Sequence, residues 1–83
     1  MKKNKTNKKF VYLISPNKIE KDDFFTDLNL LLKTQKVNFF QLRLKKETNK
    51  NKLLIGKKIK RICKEHRVKF LVNDDPILAK KLN

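Results

Sequence analysis

Eighty-three residues with a formal net charge of +15 make at most one small domain. A hydrophobic content of 39% with six Phe is enough for a core and argues against wholesale disorder. The charge would suit nucleic acid or an anionic surface, but Lys dominates over Arg, Asn is frequent and Gly and Ala are nearly absent, as AT-rich coding gives whatever the function.

Residues 1–9 read as a disordered basic tail, followed by a folded domain over 10–83. The tail looks like the start of a signal peptide. The apolar run after it, Phe10 to Ile14, is only five residues, however. A signal core needs about 7–15 and a membrane span about 20. The chain is therefore expected in the cytoplasm, with no membrane partner. That run reads as a strand buried on both faces, ended by Ser15, Pro16 and Asn17. Asp22 or Asp23 then caps a helix in which Phe24, Leu28, Leu31 and Leu32 recur at helical spacing.

The next strand, about Val37 to Leu44, is the most informative stretch. Phe40, Leu42 and Leu44 line one face without a break. The other face runs Val37, Phe39, Gln41, Arg43 and Lys45, apolar at first and then rich in donors. After a polar loop, Thr48 or Asn49 caps a second helix with Ile55, Ile59, Ile62 and His66 on one stripe and Leu54 and Cys63 beside it. Val68 to Val72 is a third strand ending at Asn73 and Asp74. Asp75 and Pro76 then open a third helix as N-cap and first residue. The order strand-helix-strand-helix-strand-helix predicts an α/β fold with parallel strands. The third helix has barely begun at Asn83, so the chain reads as the first three βα units of a larger structure.

Parallel strands bring their C-terminal ends to one edge, where such folds place ligands. Gln41, Arg43 and Lys45 then face Asn73 and Asp74. The cations and amides suit phosphate oxygens, with the planar fork of Arg43 well matched to them. A carboxylate among them repels phosphate unless a divalent metal intervenes, and Mg²⁺ is bound by one or two carboxylates plus phosphate oxygens and waters. The plainer reading keeps Arg43 and Lys45 as solvated strand-end residues and Asp74 and Asp75 as a helix cap.

Three segments carry a family resemblance: Val11-Tyr12-Leu13-Ile14-Ser15-Pro16, Phe40-Gln41-Leu42-Arg43-Leu44-Lys45, and Phe70-Leu71-Val72-Asn73-Asp74 with Leu78-Ala79 after it. In order and spacing the chain resembles the N-terminal part of the thiamine-phosphate synthase family across roughly residues 10–82. The resemblance implies a (β/α)₈ TIM barrel, a transferase that joins hydroxymethylpyrimidine diphosphate to thiazole phosphate, releasing thiamine phosphate and pyrophosphate. Carried over by motif position, Gln41, Arg43, Lys45 and Asn73 would bind the diphosphate and Asp74 would ligate Mg²⁺, with no side-chain nucleophile. Family features beyond Asn83 are missing, so the isolated 83-residue chain is expected to be inactive. Two other readings stand beside this one: a related thiazole tautomerase-type barrel, and a small basic nucleic-acid-binding protein. The complete Gln-Leu-Arg-x-Lys and Asn-Asp favour the synthase over the tautomerase. Aromatics on core stripes and the lack of aromatic-plus-glycine patterns disfavour RNA binding.

Other residues are read structurally. His66 serves helix-end packing or the helix dipole rather than catalysis. Cys63, the lone cysteine, excludes an intramolecular disulfide, fits a reducing compartment and belongs to the core. Asp22 and Asp23 cap, Tyr12 packs, and Lys57, Lys58, Lys60 and Arg61 form the solvated face of an amphipathic helix.

Overall fold

The computed structural model describes residues 2–5, 11–19 and 23–83. Its elements are β1 (Lys2–Lys5), β2 (Val11–Ile14), α1 (Asp23–Lys33), β3 (Phe39–Leu42), α2 (Asn49–Glu65), β4 (Lys69–Val72) and α3 (Pro76–Leu82). One sheet holds the strands in the order β1-β2-β3-β4. β2, β3 and β4 run parallel, with Leu13 beside Phe40 and Phe40 beside Phe70. The expected α/β alternation is thus present in three parallel strands, each followed by a helix.

Within the stretch expected as a disordered tail, Lys2–Lys5 form a strand antiparallel to β2, with Lys2 opposite Ile14 and Lys5 opposite Val11. The physical reason lies in β2, whose outer edge carries a row of backbone donors and acceptors that a neighbouring strand satisfies. Lysine is a common residue on such an edge. Residues 6–10 lie outside the described residues, as does Asp22, one of the two expected caps of α1. Asp23 is the first residue of that helix, at its acidic first turn.

Strand pleating divides the sheet into two unlike faces. Val11, Leu13, Phe40, Leu42 and Leu44 are buried, and they share a single cluster with Leu28 and Leu32 of α1, Ile59, Ile62 and Cys63 of α2, and Leu78 and Leu82 of α3. Tyr12, Ile14, Phe39 and Gln41 are half-buried, and Lys69 and Leu71 are exposed. The expectation that β2 is buried on both faces is therefore corrected, because the buried faces of all three helices join one side of the sheet. Tyr12 still packs, stacked on Phe39 with ring centroids 4.7 Å apart. No helix among the described residues is long and apolar enough to cross a membrane.

Helix ends follow their local chemistry. Thr48 caps α2, its hydroxyl accepting from the Asn51 N–H at 3.1 Å. Asp75 caps α3 by accepting from the Leu78 N–H at 3.0 Å, with Pro76 in the first helical position. After α1 and α2 the chain turns through Gln35 (φ 60°) and Arg67 (φ 59°), left-handed residues of the kind that end helices. His66 is the C-cap of α2, and its Nε2 lies 3.0 Å from Asn29 Oδ1, a hydrogen bond that joins α2 to α1. Leu54 departs from its expected place beside the stripe: it is 56% exposed. Lys60 is not wholly on a solvated face either, since its Nζ donates to the Leu82 carbonyl and ties α2 to the end of α3.

Gly56 is buried in the middle of α2, where a Cβ would stand 2.6 Å from Leu82 Cδ1 and 3.3 Å from Leu42 Cδ2. Absence of a side chain here lets α2 close onto both α3 and the sheet, outweighing the poor helix propensity of glycine. Gly56→Val is expected to destabilise the fold by about 1–3 kcal/mol through overpacking, read as a lower denaturant midpoint. A midpoint unchanged or raised would contradict the close approach.

Burial pushes the Cys63 thiol up from 9.0 to about 12. Below pH 9 folded and unfolded chains both hold the proton, so nothing is lost there. As pH rises from 9 toward 12, only the unfolded chain ionises readily and stability falls. Thermal melts across this window should therefore show a steeper decline for the parent than for Cys63→Ala, which lacks the ionisation. Parallel pH slopes would contradict it.

Candidate functional site

The donor-rich positions follow from the same pleat. Because Leu42 and Leu44 are buried against the helices, Gln41 and Arg43 alternate to the opposite side. Pairing of Gln41 with Leu71 and Leu42 with Val72 continues past the strand ends, where the Asn73 N–H donates to the Leu42 carbonyl at 2.9 Å. This register sets Arg43 beside Asn73 on neighbouring strands, which lie about 4.8 Å apart. Gln41, Arg43 and Asn73 thus lie on adjoining strand ends at one edge of the sheet, with Asp74 next in sequence. Lys45 lies farther out, exposed on the loop after β3.

Two features distinguish this edge. Arg43 is half-buried, and its Nε–H is enclosed without a hydrogen-bond partner, alone in this among the side chains of the described residues. Buried donors are rarely left unpaired, because desolvation costs about 1–3 kcal/mol without compensation. The second feature is Asp74, which has φ 57°. This left-handed conformation breaks the strand's alternation directly after Asn73. The Asp74 carboxylate is exposed and accepts from the Asn73 side-chain amide at 3.1 Å. Its neighbour Asp75 is otherwise engaged, capping α3 and standing 3.5 Å from Lys52 Nζ. Of the two adjacent carboxylates, Asp74 is the one turned outward.

The edge is braced by contacts that sequence reasoning missed. Ser15, just past β2, is buried, and its hydroxyl accepts from the Arg43 N–H at 2.8 Å. Glu47 reaches across to the loop after β2, accepting from the Ile19 N–H at 2.9 Å, while the Lys46 N–H donates to the Asn17 carbonyl at 3.1 Å. Two loops at the C-terminal ends of β2 and β3 are thereby tied together. The only sequence signal was a short polar residue ending an apolar run, which also marks an ordinary strand end. Among the described residues no group of three or more His, Cys, Asp or Glu side chains is assembled to hold a metal.

Comparison with known proteins bears on residues 11–83, which match the family described as thiamine monophosphate synthase. A curated thiamine-phosphate synthase from Pelagibacter ubique (strain HTCC1062) is 72% identical over 83 residues. The match covers the whole of this chain, which spans 40% of that relative's length. No solved structure gives a significant match. Since the family match takes in all three parallel strands and every helix, the chain belongs to the thiamine monophosphate synthase family.

Proposed function

We propose that the polypeptide carrying these residues is a thiamine-phosphate synthase, joining a pyrimidine diphosphate to a thiazole phosphate with release of pyrophosphate. The observation that carries this reading is the register that sets Arg43 beside Asn73 at the ends of parallel strands. Arg43 is half-buried there, and the planar fork of its terminal nitrogens is suited to a diphosphate, whereas its Nε is enclosed by protein. Gln41 and Asn73 add amide donors at the same edge, and Lys45 supplies a second cation from the adjoining loop. The synthase reading is favoured over the tautomerase branch by the name of the 72% identical relative.

A (β/α)₈ barrel is the proposed whole, in which a further parallel strand would replace Lys2–Lys5 on the edge of β2. Three βα units are about 38% of eight, close to the 40% of the relative's length that this chain spans. The half-exposed face of β2, β3 and β4 would then be the barrel interior.

The donor set also fits Mg²⁺. One outward carboxylate, Asp74, beside amides and cations is short of a metal cage, but Mg²⁺ commonly takes one or two carboxylates and completes its shell with phosphate oxygens and waters. When bound, the metal would offset negative charge on the diphosphate. The chain's own part is electrostatic. As the carbon–oxygen bond to the diphosphate breaks, charge grows on the departing oxygens, where Arg43 and Lys45 would already be placed. The remaining pyrimidine-stabilised cation is captured by the thiazole nitrogen, so no side chain need attack.

Mg²⁺-dependent binding of a pyrimidine diphosphate analogue to the full-length polypeptide tests this. Arg43→Ala should weaken binding by roughly 10–150-fold, corresponding to a charged hydrogen bond of about 1.5–3 kcal/mol. Asp74→Asn should remove most of the Mg²⁺ dependence. Unchanged affinity in Arg43→Ala would count against the site, and salt-steep binding to RNA in its place would favour the nucleic-acid reading.

A further inference from the structure

Ser15 is buried, 5% exposed, and is the one polar residue buried among the described residues. It stands where β2 ends, and its two hydrogen bonds both go to the β3 segment. Its N–H donates to the Gln41 carbonyl at 3.0 Å, and its hydroxyl accepts from the Arg43 N–H at 2.8 Å. In a regular parallel ladder a residue that donates to one partner position accepts, through its own carbonyl, from the residue two further along. Here the Ser15 hydroxyl takes that acceptor place. Pro16 follows at once, fixing its own φ and restricting Ser15, so the chain can leave the sheet while the end of β3 stays tethered.

We infer that Ser15 is a positioning residue that holds the backbone of Arg43 so that its guanidinium meets an anionic ligand at the strand ends. The inference rests on the diphosphate reading above. It adds a residue that touches no substrate and acts through Arg43. The tethered atom is the amide of the residue whose guanidinium is read as the anion's partner. Ser15 fixes its backbone, and the ligand would engage the terminal nitrogens of its side chain. A loosened Arg43 amide would let the guanidinium swing, and misplacement of a binding group by an ångström is costly.

The test compares Ser15→Thr, which keeps the hydroxyl, with Ser15→Val, which matches that threonine in shape but has a methyl in the hydroxyl's place. Both are made in the full-length polypeptide. Amide hydrogen exchange at Arg43 is measured together with affinity for Mg²⁺-pyrophosphate and for thiazole phosphate. Ser15→Val should exchange faster at Arg43 and bind pyrophosphate about tenfold more weakly, as expected for one lost hydrogen bond. Its thiazole-phosphate affinity should hold, and Ser15→Thr should restore both properties. A Ser15→Val protein that binds pyrophosphate like the parent would overturn the inference while leaving the proposed function intact. Equal loss of both ligands with a lowered melting point would also overturn it, revealing a general structural role. A parent protein with no affinity for Mg²⁺-pyrophosphate would sink the functional reading and this inference with it. If Ser15→Val does not fold, the smaller Ser15→Ala is judged by the same criteria.

Discussion

Period-two alternation along β3, locked by its pairing on both sides, governs this structure. Phe40 is fully buried, and with Leu42 it fixes which side of the strand meets the helices. A slip of one residue would turn Gln41 and Arg43 into the core and Phe40 and Leu42 out of it, a change no local adjustment could offset. Register with β2 and β4 therefore follows from hydrophobic burial, and the donor edge follows from register. Site and core are two readings of one strand.

The helices serve that strand by closing over its apolar side. Leu28 and Leu32 of α1, Ile59, Ile62 and Cys63 of α2, and Leu78 and Leu82 of α3 converge on a single cluster. Gly56 lets α2 come close enough to touch both Leu42 and Leu82. Lys58 lies over the Phe25 ring, 4.5 Å from its centroid, and adds a contact between α2 and α1 at the rim. Packing of this kind anchors the apolar side of the sheet right up to Leu42 and Leu44, where the polar strand ends begin.

Local chemistry in the sequence was enough to place most elements. Thr48 and the Asp75-Pro76 pair mark two helix starts by what their own atoms can accept or omit. The alternation of β3 likewise announced which of its residues would be buried. What escaped were bonds between distant segments. The hydroxyl of Ser15 meets Arg43 across a separation of 28 residues, and Glu47 meets Ile19 across the same span. Neither pairing has a local signature, because each depends on how two strands end relative to one another. The strand at Lys2–Lys5 escaped for a related cause: charged residues score as a solvated tail until a neighbouring edge offers them partners.

Asp74 shows how a backbone biases chemical drift. With φ at 57°, its position favours glycine, asparagine or aspartate, and of those three only aspartate is an anion. Glutamate is not barred, since Gln35 and Arg67 hold the same conformation with longer side chains, but it would carry its charge one methylene farther from the backbone and from the Asn73 amide that Asp74 meets. Exchange at this corner is filtered by reach as much as by backbone.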